Sequence, residues 1–338
     1  MSPRAFVCGC AGPALDADER DFLVATRPWG LILFRRNVES PGQLLALASA
    51  FRDIVGRADA PVLVDQEGGR VQRLGPPHWQ RHPAAARYAD MHALEPDRAL
   101  AMARLGGELT GRDLSGSGIT VDCAPVLDLP VDGASSVIGD RAFGRDPETV
   151  AALAGAWAEG LMAGGALPVV KHMPGHGRAE VDSHLDLPVV AAGRDALARD
   201  FAPFRALNRL PMAMTAHIVY RALDPERPVT TSKRAIDAVI RGEIGFDGLL
   251  LSDDLSMEAL EGTLGERAAA ASAAGCDILL HCNGNLAEAR AVADAAPILD
   301  GRAAERAAVA LGRLTMPPDR DLGPERAAFA AAFAAPAA

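Results

Sequence analysis

The fold is decided by residues 30–65, which read GLILFRRNVESPGQLLALASAFRDIVGRADAPVLVD. The segment begins and ends with a short, continuous apolar run, and such runs are typical of strands covered on both faces, as in parallel sheets. Between the runs, Ser40 followed by Pro41 is a helix-start signal. The apolar residues after it are predicted to share one helical face: Leu44, Leu45, Ala48, Phe51 and Val55. The segment therefore predicts a strand, a helix and a second strand.

The same unit recurs along the chain. Helix starts are also predicted at Asp146 with Pro147, at Asp195 and at Ser232. Eight apolar runs are present: AFVCG (5–9), GLILF (30–34), PVLVD (61–65), ITVDC (119–123), PVVKH (168–172), MAMTAH (212–217), GLLLS (248–252) and DILLH (277–281). Strand–helix alternation implies right-handed crossovers, and eight parallel strands close a barrel. We therefore predict the α/β class, as a single (β/α)8 TIM-type barrel with a C-terminal helical extension.

An open, doubly wound parallel sheet is the alternative to the barrel. The chain carries neither G-x-G-x-x-G nor G-x-x-x-x-G-K-[ST] after a strand. These motifs bind phosphates in many open sheets, so the barrel is favoured. We assign residues 1–300 to a catalytic barrel. Residues 301–338 are expected to form a C-terminal helical segment that packs on the barrel or is partly frayed.

Composition limits the partners of the chain. Its 338 residues include 34 Lys and Arg against 44 Asp and Glu, a net charge of −10, which disfavours nucleic acid and anionic membranes as partners. No run approaches the ~20 apolar residues of a membrane span. The five cysteines are odd in number and lack the second pair of a zinc site: Cys8, Cys10, Cys123, Cys276 and Cys282. We expect buried thiols in a monomeric cytoplasmic protein without a cofactor or metal.

Polar residues follow several of the predicted strands. They are Asp65 after the third run, Lys171 and His172 at the end of the fifth, His217 at the end of the sixth, and Asp253 and Asp254 after the seventh. In a barrel these strand ends meet around one mouth, where active sites lie. An aspartate at such a position is often only the N-cap of the next helix. Several such residues at one mouth nevertheless favour a functional site.

The densest polar segment is KHMPGHGRAEVDSHLDLP at 171–188. Its glycines predict a mobile loop that closes over a substrate. Asp182 and His184 are two residues apart, so in an extended chain the carboxylate can orient the imidazole as a general acid/base. Two other interpretations stay open: a metal site built from the histidines and aspartates, and a Schiff base at Lys171.

Two adjacent carboxylates follow the seventh run. Asp253 and Asp254 point in opposite directions at the end of an extended strand, so only one of them can face the barrel axis. A carboxylate in the mouth, combined with a separate acid/base, is what retaining glycoside hydrolysis requires. Arg73, Arg141 and Asp65 would then bind the hydroxyl or carbonyl groups of the sugar.

Long motifs connect these positions in one order along the chain. They are GLILFRRN (30–37), DQEGGRVQRL (65–74), VIGDRAFGRDP (137–147), KHMPGHGRAEVDSH (171–184), MTAHI (214–218) and LLLSDDLSMEAL (249–260). Together they resemble the bacterial β-N-acetylglucosaminidases of glycoside hydrolase family 3, the NagZ type. The resemblance runs from about residue 8 to residue 284. Met173, where the family often has Phe, is a minor departure because both side chains are bulky and apolar.

The resemblance implies an enzyme that removes terminal β-linked N-acetylglucosamine from peptidoglycan fragments. The implied substrate is N-acetylglucosaminyl-anhydro-N-acetylmuramic acid, with or without the stem peptide, in cytoplasmic cell-wall recycling. It implies Asp253 as the nucleophile of a covalent glycosyl-enzyme and His184, paired with Asp182, as the general acid/base. His176 and His217 are left as supporting residues. The implied sugar-binding positions are Asp65, Arg73, Arg141, Lys171 and His172.

Three alternatives concern the reaction. A histidine acid/base places less negative charge near the anomeric carbon than a carboxylate, so phosphate could replace water and give phosphorolysis. The acetamido group of the substrate could act as the nucleophile, oriented by Asp253 and Asp254, although their opposed directions argue against this. A non-catalytic sugar-binding barrel would keep Arg73 and Lys171 but need no Asp182–His184 pair.

Overall fold

A closed barrel of eight parallel strands forms the centre of the molecule. The computed structural model describes residues 2–181 and 187–334. Each barrel strand pairs with the next along the chain, and the last pairs with the first. The strands are β1 (Arg4–Gly9), β2 (Pro28–Leu33), β3 (Val62–Val64), β4 (Val121–Asp122), β5 (Leu167–Met173), β6 (Met212–Thr215), β7 (Leu249–Asp254) and β8 (Ile278–His281). The predicted TIM-type barrel is confirmed, and each strand coincides with one predicted run.

Helices surround the strands. They are α1 (Ala17–Thr26), α2 (Pro41–Val55), α3 (Ala86–His92), α4 (Pro96–Ser115), α5 (Pro147–Ala163), α6 (Arg194–Ala206), α7 (Lys233–Ala235), α8 (Leu264–Ala274), α9 (Leu286–Ala295), α10 (Gly301–Leu311) and α11 (Gly323–Phe333). The helix predicted at Ser232 continues beyond α7 as a π-helix, Ile236–Glu243. Among the described residues, none of these helices is long and apolar enough to cross a membrane.

Helix α2 shows how closely local sequence sets local structure. Ser40 caps it by accepting the backbone N–H of Gln43, Pro41 is its first residue, and Gly56 ends it with φ 65°. Leu45, however, is 48% exposed. The prediction that it shares the buried face is wrong, because it lies one residue, about 100° of helix rotation, from the buried Leu44.

The core has two layers because successive strand residues face opposite sides of the barrel wall. In β7, Leu249 and Leu251 pack inside the barrel, whereas Leu250 packs outward against the helices. All five cysteines are buried and free, as the predicted buried thiols require. Asp253 follows Leu251 by two residues, and the pairing of β7 with β8 shifts in register between Leu251 and Asp254.

The N-terminal end of the barrel is covered by α10. Leu299, Ala307 and Ala310 pack in one apolar cluster with the inward-facing strand residues. Helix α11 lies on the outside, where its buried Phe329 packs against the ring of His82. The division into a barrel up to residue 300 and an extension beyond it stays a prediction. The C-terminal end of the barrel is left open to solvent through a cavity.

Candidate active site

A cavity of about 420 Å3 lies at the C-terminal mouth of the barrel. The six predicted site residues that the structure describes all line it: Asp65, Arg73, Arg141, Lys171, His172 and Asp253. The two remaining residues, Asp182 and His184, lie outside the described residues. Six positions separated by up to 188 residues in the chain are therefore brought to one cavity.

The loop after β3 supplies one wall of the cavity. Asp65 follows the strand directly, and the chain then forms a tight antiparallel hairpin in which Gln66–Gly68 pairs with Val71–Gln72. The buried Gln66 side-chain carbonyl accepts the backbone N–H groups of Arg73 (2.9 Å) and Leu74 (3.0 Å). These two hydrogen bonds fix the second strand of the hairpin, so that Arg73 lies beside Asp65.

Strand β5 supplies the floor. Lys171 and His172 are both buried, the peptide bond between them is cis, and both side chains line the cavity. The third part of the cavity wall comes from the 3-10 turn Gly139–Arg141, which lies between β4 and β5 in the sequence and brings Arg141 to the cavity.

The charged side chains form a continuous chain of ion pairs. Arg73 Nη2 lies 3.3 Å from Asp65, whose other oxygen is 2.8 Å from Lys171 Nζ. Lys171 also contacts Glu67 at 2.8 Å. The two oxygens of Glu67 accept Nε and Nη2 of Arg141, each at 2.8 Å, in a bidentate pair. We call these five residues the ion-pair chain.

The pKa values in the ion-pair chain follow from mutual pairing. Burial alone would raise the pKa of Glu67, but Lys171 and Arg141 outweigh it and lower that pKa to about 2. The pKa of Asp65 is likewise lowered by Lys171 and Arg73 against the effect of burial. Burial alone would lower the pKa of Lys171, but the two carboxylates raise it. All five groups are therefore charged at neutral pH and offer fixed donors and acceptors.

Asp253 is a carboxylate held by its neighbour. Its Oδ1 accepts the backbone N–H of Asp254 at 2.8 Å. Burial would raise the pKa of Asp253, but His172 and His217 outweigh that effect and lower it. His217 Nε2 in turn donates to the backbone carbonyl of Asp254 at 2.9 Å, and its Nδ1 lies 2.7 Å from the hydroxyl of Thr230. His217 therefore supports the peptide that holds Asp253.

Asp254 has a different set of partners. Its carboxylate accepts the backbone N–H and the hydroxyl of Ser256 and the backbone N–H of Cys282. Both Asp253 and Asp254 line the cavity, so the expectation that only one of them can face it is wrong. The bonds of Asp254 engage its carboxylate with the segments that follow β7 and β8. The helix N-cap interpretation does not describe Asp253 or Asp65, since neither side chain caps a helix in the structure.

The ring of His172 contacts the buried carboxylate of Asp128. Its Nδ1 lies 2.7 Å from Asp128 Oδ2, and Asp128 is fully buried. Asp128 Oδ1 also accepts the backbone N–H of His172 (3.2 Å) and of His176 (2.6 Å). His176 is buried, with its ring 5.4 Å from that of His172. Asp128 thus connects β5 to the loop that follows it.

Sequence reasoning missed Glu67 and Asp128. Glu67 lies two residues after Asp65 in the motif DQEGGR, so the two-residue period of an extended chain could have placed both carboxylates on one side. Asp128 follows the fourth apolar run after a short gap, in APVLDLP at 124–130. Like the aspartates at the ends of β3 and β7, Asp128 follows a barrel strand, but it lies several residues beyond the end of β4.

Two alternative chemistries can be compared with this geometry. The Schiff-base interpretation requires a neutral Lys171, whereas its ammonium is paired with two carboxylates and its pKa is raised. Within residues 2–181 and 187–334, no group of three or more His, Cys, Asp or Glu residues is arranged to hold a metal ion.

The family model for the glycosyl hydrolase family 3 N-terminal domain matches residues 11–310. The chain belongs to glycoside hydrolase family 3. Curated β-hexosaminidases are similar to it: that of Alkalilimnicola ehrlichii is 45% identical over 280 residues, covering 81% of this chain and 79% of the relative. That of Pseudomonas aeruginosa strain PAO1 is 40% identical over 314 residues, covering 91% and 87%.

Solved structures of family 3 members agree. Native NagZ from Neisseria gonorrhoeae superposes with a TM-score of 0.88 at 35% identity, covering 99% of both chains. NagZ of the same organism in complex with N-trifluoroacetyl-D-glucosamine gives a TM-score of 0.84 at 36% identity, covering 92% of this chain and 90% of that one. The predicted family resemblance and the predicted enzyme class, a glycoside hydrolase, are confirmed.

Proposed function

We propose that this family 3 member is a retaining exo-β-N-acetylglucosaminidase that acts by double displacement through a covalent glycosyl-aspartate. The observation that carries the proposal is Asp253: an ionised carboxylate at the end of β7, held by one backbone amide, in the cavity that also contains the ion-pair chain. A fixed, half-buried carboxylate is suited to attack an anomeric carbon and to leave again.

The roles of the other residues follow from the same assignment. His184, oriented by Asp182, protonates the leaving oxygen and then activates water, as the family resemblance implies. Asp65, Arg73, Arg141, Lys171 and His172 bind the hydroxyl and carbonyl groups of the sugar. The ion-pair chain supports this role because its charged donors and acceptors are already fixed before a sugar arrives. No metal takes part in this mechanism.

The proposed substrate is N-acetylglucosaminyl-anhydro-N-acetylmuramic acid, with or without its stem peptide, and the proposed place of action is the cytoplasm. Two observations support a small substrate. A cavity of about 420 Å3 is at the small end of ligand sites. The similar proteins of known structure include NagZ with a bound N-acylglucosamine analogue. We further propose a monomer.

A covalent adduct tests the mechanism. The enzyme is incubated with a slow fluorinated N-acetylglucosaminide, and its intact mass is measured before and after incubation. The modified residue is then located by peptide mapping. We expect a mass increase of one sugar, mapped to Asp253 and absent in Asp253→Ala. Turnover without any adduct would contradict the covalent route and favour attack by the acetamido group. Binding without turnover of any β-N-acetylhexosaminide would indicate a sugar-binding barrel.

Two additions to the assay separate the remaining chemistries. Turnover of an aryl β-N-acetylglucosaminide is expected to be unchanged by a strong chelator, and chelator-sensitive activity restored by zinc would indicate a metal-dependent hydrolase. With inorganic phosphate present, the product is expected to remain the free sugar. Formation of sugar 1-phosphate would instead identify a phosphorylase that uses the same site.

A further inference from the structure

Asp128 is the charged group beneath the cavity that the proposed mechanism does not use. It is fully buried and lies after β4, on a segment bridged to β5 through Val126 and Lys171. One of its oxygens accepts two backbone N–H groups, and the other meets the Nδ1 of His172 at 2.7 Å. The carboxylate thus makes three contacts, two with backbone N–H groups and one with the ring of His172, and both His172 and His176 line the cavity.

The chemistry of these contacts decides the protonation of His172. Burial alone would raise the pKa of Asp128, but His172 outweighs it and the pKa is lowered, so Asp128 is a carboxylate and can only accept hydrogen bonds. The Nδ1 of His172 must therefore carry a proton. In the neutral ring, Nε2 then has no hydrogen and presents a lone pair to a ligand in the cavity.

We propose that Asp128 is a positioning residue of the reaction: it fixes the ring orientation of His172 and the tautomer in which Nε2 accepts a hydrogen bond from a sugar hydroxyl. This inference rests on the proposed role of His172 in binding the sugar. Asp128 itself does not touch the sugar. A purely structural Asp128 would hold the two backbone amides but leave the tautomer of His172 without consequence.

The first test uses the wild-type enzyme and needs no turnover. The protein is labelled with 15N-histidine, and the ring nitrogens of His172 are assigned by the resonances lost in His172→Gln. At a pH where the ring is neutral, we expect a protonated Nδ1 and an unprotonated Nε2. A ring protonated at Nε2 alone would overturn the proposal, whether or not the enzyme cleaves N-acetylglucosaminides.

Asp128→Asn isolates the contact with His172. An asparagine oxygen in place of Oδ1 still accepts both backbone N–H groups, whereas its amide group faces Nδ1 as a donor. The opposite side-chain orientation would set the amide donors against two N–H groups. The variant is therefore expected to keep the loop bonds and to invert the tautomer, giving a His172 that is protonated at Nε2.

A matched control is available in Asp122, a second fully buried carboxyl group. It accepts the backbone N–H of Gln66 at 2.9 Å, and burial raises its pKa well above the usual value. Asp122→Asn keeps an oxygen acceptor for the backbone N–H of Gln66. We expect it to leave the ring resonances of His172 unchanged, so that a general effect of a buried amide can be recognised.

Kinetics give the second readout. For Asp128→Asn on an aryl β-N-acetylglucosaminide, we expect KM to rise roughly 10- to 100-fold, the range for losing a hydrogen bond to a charged or fixed partner. The effect on kcat should be smaller, because the nucleophile is untouched. An inverted tautomer with an unchanged KM would overturn the proposal, as would a fall in kcat alone. A wild-type enzyme with the expected tautomer but no turnover would contradict the proposed function and not the tautomer assignment.

Discussion

A buried set of ion pairs at the mouth of the barrel can be compared with a solvent-exposed ion pair at the other end. At the mouth, Lys171 is 3% exposed and Glu67 5% exposed, and each contacts more than one partner. At the other end, Asp247 pairs with Arg302 and Arg306, but the side chains of Asp247 and Arg302 are 62% and 59% exposed. Lys171 and Glu67 are thus desolvated, whereas Asp247 and Arg302 are largely solvated.

The difference shows how burial changes the strength of an ion pair. Exposed pairs gain little because water and salt screen them. Buried pairs gain strength from the low dielectric but leave a costly unpaired charge when one partner is lost. A site built from such pairs is rigid before its ligand binds. The following variants compare the two ends directly.

The largest expected difference is in catalysis. Asp253→Ala removes the proposed nucleophile at the mouth and is expected to lower kcat by about 10⁴-fold or more. Asp247→Ala, at the opposite end, removes a carboxylate from an exposed cluster and should leave kcat and KM unchanged. Both are measured on an aryl β-N-acetylglucosaminide. Substantial turnover by Asp253→Ala would contradict the assignment of the nucleophile.

The second difference is in stability. Lys171→Met leaves Asp65 and Glu67 buried side by side without their shared cation, so the free energy of unfolding should fall by about 3–5 kcal/mol. KM should rise as well, because the ion-pair chain is interrupted. Arg302→Ala is the matched substitution at the exposed end. The urea midpoint of its unfolding should equal that of the wild type. Equal urea midpoints for the two variants would show that burial does not separate the two ends.

The third difference is in the response to acid. Burial, with a smaller effect of the neighbouring His172, lowers the pKa of His176 to about 4, against 6.5 in the unfolded chain. Because the unfolded chain binds the proton first, the contribution of His176 is complete above pH 6.5. It is lost progressively as the pH falls to 4, by up to about 3 kcal/mol.

Urea unfolding at a series of pH values checks this expectation. His176→Asn removes the titrating ring, so its stability should fall less steeply between pH 6.5 and pH 4 than that of the wild type. Glu67, whose pKa is lowered to about 2, should contribute a further loss only below pH 4.5. Parallel curves for wild type and His176→Asn would show that His176 is not the group responsible.

The barrel could be predicted because strands covered on both faces are continuously apolar, and this pattern needs no tertiary information. The residues at strand ends could be predicted for the same reason, since a parallel barrel brings those ends together. The π-helix Ile236–Glu243 could not, because apolar residues at Ile236, Val239 and Ile240 suit either hydrogen-bond register. The prediction for Leu45 was wrong because an apolar residue on a surface helix need not be buried.

The missed carboxylates have a different cause. Glu67 and Asp128 act on other side chains, and their partners are separated from them in sequence by 104 and 44 residues. Their importance depends on an ion pair and a buried hydrogen bond that form only once the barrel has closed. Neither contact leaves a periodic signal in the chain. Asp65, by contrast, was found because its position at a strand end is itself the signal.

Helix α10 fills the N-terminal end of the barrel, so that among the described residues the cavity at the C-terminal mouth is the route to the proposed nucleophile. Its apolar residues fill the opposite end together with the inward-facing strand residues. A sugar held at the floor of the mouth therefore has to leave by the route through which the substrate entered. In the proposed double displacement the aglycone leaves when the glycosyl-enzyme forms, and the sugar is released last, after water has attacked it. Free N-acetylglucosamine is then expected to compete with incoming substrate.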